Sequence, residues 1–218
     1  KQAGYLEIFE HEKDQWKIQA EMINRLSDGP YLVPPDFPTA LTRALEEYNT
    51  VFVDSESLLS AHRAIKTREE IRWITRAQRA AEAAMDMAVS LVKHADVRSG
   101  VLWHNDAPLT SDLVRFEMNK VLLAFDCTGK NTIVACGLET AMPHCRGDGE
   151  LRAHEPIVID IFPSDNKTGY YADMTRTISR GEPSGKVTEL YETVKEALLM
   201  SEGMVREGVT GAACYQAV

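Results

Sequence analysis

No stretch of this chain approaches the roughly 18 apolar residues that a bilayer-spanning helix needs, so no membrane helix is expected. Paired cysteine spacing is missing as well. Cys127, Cys136, Cys145 and Cys214 are scattered, with no Cys-x-x-Cys, which fits a reducing cytosol better than a disulfide scaffold. Positive charge is scarce: 24 Lys and Arg stand against 33 Asp and Glu, for a net charge of −9. That balance excludes electrostatic attraction to nucleic acid or to anionic membrane surfaces. The opening residues show no signal-peptide pattern, so a cytoplasmic protein is expected. There is no internal repeat and no low-complexity tract. Gly147-Asp148-Gly149 lacks the strand-loop-helix setting of a phosphate loop, so nucleotide binding carries little weight. What remains is a 218-residue chain, 44% hydrophobic, with room for one medium domain or one plus part of another.

Helical spacing runs from about Tyr5 to Leu26, with Leu6, Phe9, Trp16, Ile18, Met22, Ile23 and Leu26 on the candidate buried side, and Gly29-Pro30 ends it. Tyr31-Leu32-Val33 reads as a strand, Thr39 to Tyr48 as a helix and Val51 to Asp54 as a second strand. A boundary falls near Ile65-Lys66-Thr67. Thr67-Arg68-Glu69-Glu70 is a capping-box sequence, and the long helix after it repeats Ile71, Ile74, Ala81, Met85, Ala88 and Leu91/Val92. Its many alanines predict close packing. Thr110-Ser111-Asp112 caps a helix to Ala124, and Val187 to Arg206 forms another, with Leu190, Tyr191, Val194, Leu198 and Val205 inward. Strands are expected near 132–136, 156–162 and 170–178. Helices followed by antiparallel hairpins indicate α+β architecture.

The chemistry concentrates in Ile157-Val158-Ile159-Asp160-Ile161-Phe162 and Tyr170-Tyr171-Ala172-Asp173-Met174-Thr175-Arg176-Thr177. An acid within an apolar, β-branched run is costly to bury alone, and a cation held between two carboxylates resolves that cost. With Asn166-Lys167 as the central turn residues, Asp165 pairs with Thr168, and the ladder sets Asp160 opposite Asp173 on one face. Each acid has a blander reading, Asp160 as a surface residue at a strand end and Asp173 as a turn cap. The pair followed by Thr175-Arg176-Thr177 is far more specific than either. Upstream, Ile133 to Gly137 reads as a strand leading into a loop with Met142-Pro143-His144-Cys145. Cys145 beside His144 is not a nucleophile–base pair, because adjacent side chains rarely aim at one another. His154 reads as a turn residue, Asp148 and Asp165 likewise.

Taken together, the Pro-His loop, Asp160, Asp173 and Asp-x-Thr-Arg-Thr resemble the pita-bread metallopeptidases: methionine aminopeptidase, proline aminopeptidase and prolidase. The likeness is greatest to the proline-directed branch. It implies that residues 1–64 are the closing half of a small creatinase-like N-terminal domain, and that residues 65–218 are the first part of a pita-bread catalytic domain. It further implies Asp160 and Asp173 as metal ligands, Asp173 bridging two divalent ions, and His144 as a catalytic residue that contacts substrate without binding metal. The ions would be Mn²⁺ in the first place, with Co²⁺ or Zn²⁺ as alternatives. The implied reaction is cleavage of Xaa-Pro peptides by a hydroxide activated between two metals, in a homodimer, with no nucleic-acid or membrane partner. The two acids lie thirteen positions apart, two more than is usual for the family, which preserves their parity. The family completes its site with a downstream His and two Glu that this sequence does not contain, so the chain alone is expected to be an incomplete enzyme. Creatinase works without metal and its branch does not keep the Asp pair. Two other readings stay open: a metal-dependent hydrolase of small non-peptide amides, and an inactive binding or dimerisation relative.

Overall fold

The structure is a computed structural model that describes residues 14–55 and 58–218, and the chain divides into two compact units at Thr67/Arg68. In the first unit the expected α-β-α-β order appears as α1 (Gln15–Leu26), β1 (Tyr31–Val33), α2 (Thr39–Glu46) and β2 (Val51–Val53), and α3 (Leu58–Ala64), which was not expected, follows. Strands β1 and β2 pair in parallel, Tyr31 beside Val51. The helix expected from Tyr5 is described only from Gln15, where the Asp14 carboxylate accepts from the amides of Trp16 and Lys17, and Leu6 and Phe9 lie outside the described residues. Its buried strip is narrower than the spacing predicts. Ala20 is buried and Ile23 packs beside it, while Trp16, Met22 and Leu26 are exposed.

The second unit is built on α4 (Arg68–His94), which starts immediately after Thr67. Ala77, Ala80, Ala81, Ala84 and Ala88 are fully buried, with Met85, Leu91 and Val92 nearly so. Recurrence at three and four residues puts these alanines on one face, and their lack of bulk lets α5 (Ser111–Ala124) approach closely. Ile71 falls outside this face and is exposed. Helix α5 is capped as expected, Thr110 Oγ1 accepting from the Leu113 amide at 3.2 Å. Between α4 and α5 lies a small meander that the sequence reading did not include: β3 (Asp96–Arg98), β4 (Val101–His104) and β5 (Ala107–Pro108). Its signal was the pair of two-residue turns, Ser99-Gly100 and Asn105-Asp106, all four at positive φ.

After the short β6 (Cys127–Thr128), the central sheet comprises β7 (Ile133–Cys136), β8 (Ile157–Ile161) and β10 (Met174–Ile178) in the order β10-β8-β7, all antiparallel. Ile157, Ile159 and Ile161 point into the core shared with α4 and α5, whereas Val158 and Asp160 alternate onto the more open face. The short β9 (Ser164–Asp165) pairs with β6. All four cysteines are free.

Helix α6 (Gly185–Met204) forms where predicted, followed by α7 (Gly211–Ala217), but its apolar stripe is not inward. Leu190, Tyr191, Val194, Leu198 and Val205 are all exposed. No described element covers them. The upper part of the stripe borders a groove of about 420 Å³ with Pro156, Val158 and Ile178 on its far side. No helix among the described residues is long and apolar enough to cross a membrane.

Because the α4 face admits no extra volume, Ala84→Leu is expected to destabilise the chain by about 1–3 kcal/mol. Urea unfolding followed by circular dichroism reads that change, and a midpoint equal to the parent's would show that the α4–α5 contact is loose.

Candidate active site

The hairpin that carries the two aspartates is organised by a third. Asp165 is 1% exposed. Its Oδ1 accepts from the Lys167 amide at 2.9 Å, the Thr168 amide at 2.9 Å and the Thr168 hydroxyl at 3.1 Å, while Arg76 Nε stands 3.0 Å from Oδ2. Burial pushes this carboxyl upward, but the hydrogen bonds from Thr168 and Lys167, together with Arg76, outweigh it and hold the group below its ordinary 3.8. The loop is therefore wider than a two-residue turn. The Asp165 amide donates to the Tyr170 carbonyl, and Gly169, at φ +71°, donates back to the Asp165 carbonyl. Helix α4 grips the same loop with side chains three residues apart. The Tyr170 hydroxyl donates to Glu70 at 2.5 Å, Trp73 packs on the Tyr170 ring at 5.5 Å, and Arg76 meets Asp165.

This wider loop corrects the expected register. Asp160 lies opposite Thr175, not Asp173. The ladder has moved by two residues because Asp165 folds four residues, 166–169, into the turn. An even shift preserves the alternation of faces, and position 173 keeps the parity of 160, one step beyond the end of β10. Thr175 Oγ1 donates to Asp160 Oδ1 at 2.6 Å and so fixes one oxygen of that carboxylate. Asp160 is half-buried and Asp173 exposed. The premise that Asp160 is sunk in an apolar interior fails for the same reason the strand alternates: its isoleucine neighbours take the core face.

His144 sits on the loop that leaves β7. A 3₁₀ turn over Gly137–Ala141 is followed by a tight turn in which the Cys145 amide donates to the Met142 carbonyl, and His144 is exposed at its tip. The base of this loop is held firmly. The Val134 amide donates to the Arg146 carbonyl at 2.9 Å. Arg115 of α5, 8% exposed, donates through Nη1 to the carbonyls of Arg146 and Gly147 at 2.6 and 3.1 Å, and through Nη2 to Asp112 at 2.6 Å. A β-carbon on Gly147 would fall 1.8 Å from the Val134 carbonyl oxygen, and its φ is +78°, so only glycine fits there. His154 is a turn residue, as read: at φ +65° its Nδ1 lies 2.9 Å from the Glu182 carbonyl.

Two carboxylates do not make a dinuclear site, in which each ion takes about four to six donors. Among the described residues no group of three or more His, Cys, Asp or Glu is arranged to hold a metal ion. Asp160 and Asp173 alone would not be a complete donor set for a metal ion.

The profile of Metallopeptidase family M24 matches residues 72–218. The chain belongs to this family. Uncharacterized peptidases of Staphylococcus aureus strains MRSA252 and USA300 are each 29% identical to the M24 chain over 159 residues, covering 72% of it and 42% of their own length. Among solved structures, an Xaa-Pro dipeptidase from Bacillus anthracis is similar with TM-score 0.73 and 26% identity, covering 95% of this chain and 56% of that one. A prolidase from Pyrococcus horikoshii OT3 shares the fold at TM-score 0.74 and 22% identity, covering 91% and 55%. The M24 chain thus spans about half the length of the relatives it matches, and its α+β architecture is that of the pita-bread proteins.

Arg76 and Arg115 escaped the sequence reading, as did the burial and ion pair of Asp165, which was read as a turn residue. An Asx turn at Asp165 is visible in Asp165-Asn166-Lys167-Thr168, but its ion-pair partner lies 89 positions earlier on a helix. At pH 7, Asp165→Asn is expected to cost about 1–3 kcal/mol, since it weakens three hydrogen bonds and an ion pair at a buried site. A depressed carboxyl contributes stability above its unfolded pKa and loses it as pH falls through its folded one. The gap between variant and parent should therefore close below pH 3.8. Urea unfolding at neutral and acid pH measures it, and a gap independent of pH would remove the charge from the explanation.

Proposed function

We propose that this M24 chain carries part of a metal-dependent aminopeptidase or dipeptidase that cleaves Xaa-Pro bonds. The observation that carries the reading is the hairpin register, which keeps Asp173 in phase with Asp160 and sets Thr175 against the Asp160 carboxylate at 2.6 Å. The Xaa-Pro dipeptidase and prolidase among the similar structures support the substrate class. In this proposal Asp160 and Asp173 ligate divalent ions, Mn²⁺ before Co²⁺ or Zn²⁺, and the remaining donors come from residues other than those described. The metal, when bound, supplies an activated water near neutral pH. Thr175 holds Oδ1 of Asp160 and so orients that carboxylate. In the same proposal His144, exposed at its loop tip, donates a hydrogen bond to an oxygen of the substrate that gains negative charge. The whole protein works as a cytoplasmic homodimer on peptides with proline second.

The scarcity of donors favours one second reading, a relative that binds a partner or dimerises without catalysis. Metal content after loading with Mn²⁺ separates the two. The peptidase reading expects bound metal, lost in Asp160→Asn, and hydrolysis of Xaa-Pro but not Xaa-Ala dipeptides. Metal-free protein that hydrolyses neither would favour the binding module, and equal cleavage of both peptide sets would overturn the proline preference. Thr175→Val should weaken metal binding about 10–100-fold, as loss of a carboxylate-orienting partner does. Titration calorimetry reads it, and an unchanged affinity would mean the threonine bond is incidental.

A further inference from the structure

We infer that Arg115 is the positioning residue for His144, an inference that rests on the proposed role of His144 at the substrate. Among the described residues the tip of the histidine loop is held only by local hydrogen bonds, Met142 to Glu139 and Cys145 to Met142, so its placement relative to the sheet comes from the base. The base has three fixed points. The Val134 amide binds the Arg146 carbonyl, Gly147 lies against the β7 backbone, and Glu139 Oε2 faces the amides of Cys136 and Asp148, both at 3.4 Å. Arg115 joins two of these points. One Nη1 reaches the carbonyls of both Arg146 and Gly147, two and three residues after His144.

The side chain is suited to that task and poorly explained by any other. A guanidinium is charged at all relevant pH, and its donors form a planar fork that can hold two acceptors in fixed geometry. Bringing it to 8% exposure is costly unless its donors are satisfied, and backbone carbonyls satisfy them without cancelling the charge. Asp112, one turn earlier on α5, holds the second nitrogen at 2.6 Å and fixes the direction of the fork. Helix α5 packs on both α4 and β7, so the loop is referenced to the same scaffold as the aspartate hairpin. Histidine and carboxylates are thereby held to one frame through different α-helices: α5 by Arg115, α4 by Arg76.

The test is ¹³C-histidine NMR and amide hydrogen exchange on the chain, comparing the parent with Arg115→Met and Arg115→Lys. Arg115→Met is expected to shift the His144 ring resonance and to speed exchange at Cys145 to Gly147 by about tenfold or more, the scale of losing charge-assisted hydrogen bonds. Amides of β8 and the His154 resonance should stay at parent values, and Arg115→Lys should recover part of the change. A His144 resonance and loop exchange unchanged in Arg115→Met would overturn the inference. If the methionine variant does not fold, the lysine variant decides: an ammonium lacks the second nitrogen that Asp112 holds and cannot keep the planar geometry that aims Nη1 at both carbonyls, so parent-like loop exchange there overturns the inference equally. Peptide turnover by His144→Ala protein addresses the other half. Unimpaired turnover would remove His144 from the chemistry, while the NMR result would still stand on the clamp.

Discussion

A single buried carboxylate sets the geometry on which everything else in the second unit relies. Asp165 is withdrawn from water, keeps its charge, and is made tolerable by two backbone amides, a hydroxyl and Arg76. Those partners dictate how many residues the hairpin loop must hold. The loop length dictates the ladder, and the ladder decides which side chain faces Asp160. Thr175 occupies that place because Asp165 has already used up residues 166–169. An acid far from the chemistry thus determines the immediate neighbour of an acid proposed to be part of it.

The same economy appears around the rest of the sheet. The alanine face of α4 brings helix α5 near, and α5 in turn lends Arg115 to the loop beyond β7. Neither helix contributes a side chain to the chemistry proposed. Both act on it through carbonyls and carboxylates at the base of loops, where small displacements are translated to the tip. The pita-bread sheet is best regarded as the surface on which these loops are registered.

Much of this was legible in the sequence, because it rests on local pattern. Thr110, the alanine repeat after Thr67 and the isoleucines alternating through 157–161 declare the elements they form. The parity of Asp160 and Asp173 was legible too, since it needs only an even number of residues between facing positions. What escaped were interactions that span long stretches of chain. On paper Arg76 is an ordinary helix residue and Asp165 a turn residue, and only folding makes them partners. The two-residue turn failed because the side chain of Asp165 outcompeted the tighter backbone geometry. The inward stripe assigned to α6 failed differently. Its periodicity is real, but periodicity tells which residues share a face and not whether anything lies against that face.

The free thiols offer an unplanned clock. Cys127 sits on β6, the strand that pairs with Asp165, and Cys136 ends β7 just ahead of the histidine loop. Burial pushes both thiols above their ordinary ionisation, and both are largely withdrawn from solvent in the closed fold. A thiol reagent therefore reacts with them faster whenever the strand beneath each site breathes. The chain carries its own pair of stopwatches, one timing the opening of the aspartate hairpin and the other that of the histidine loop.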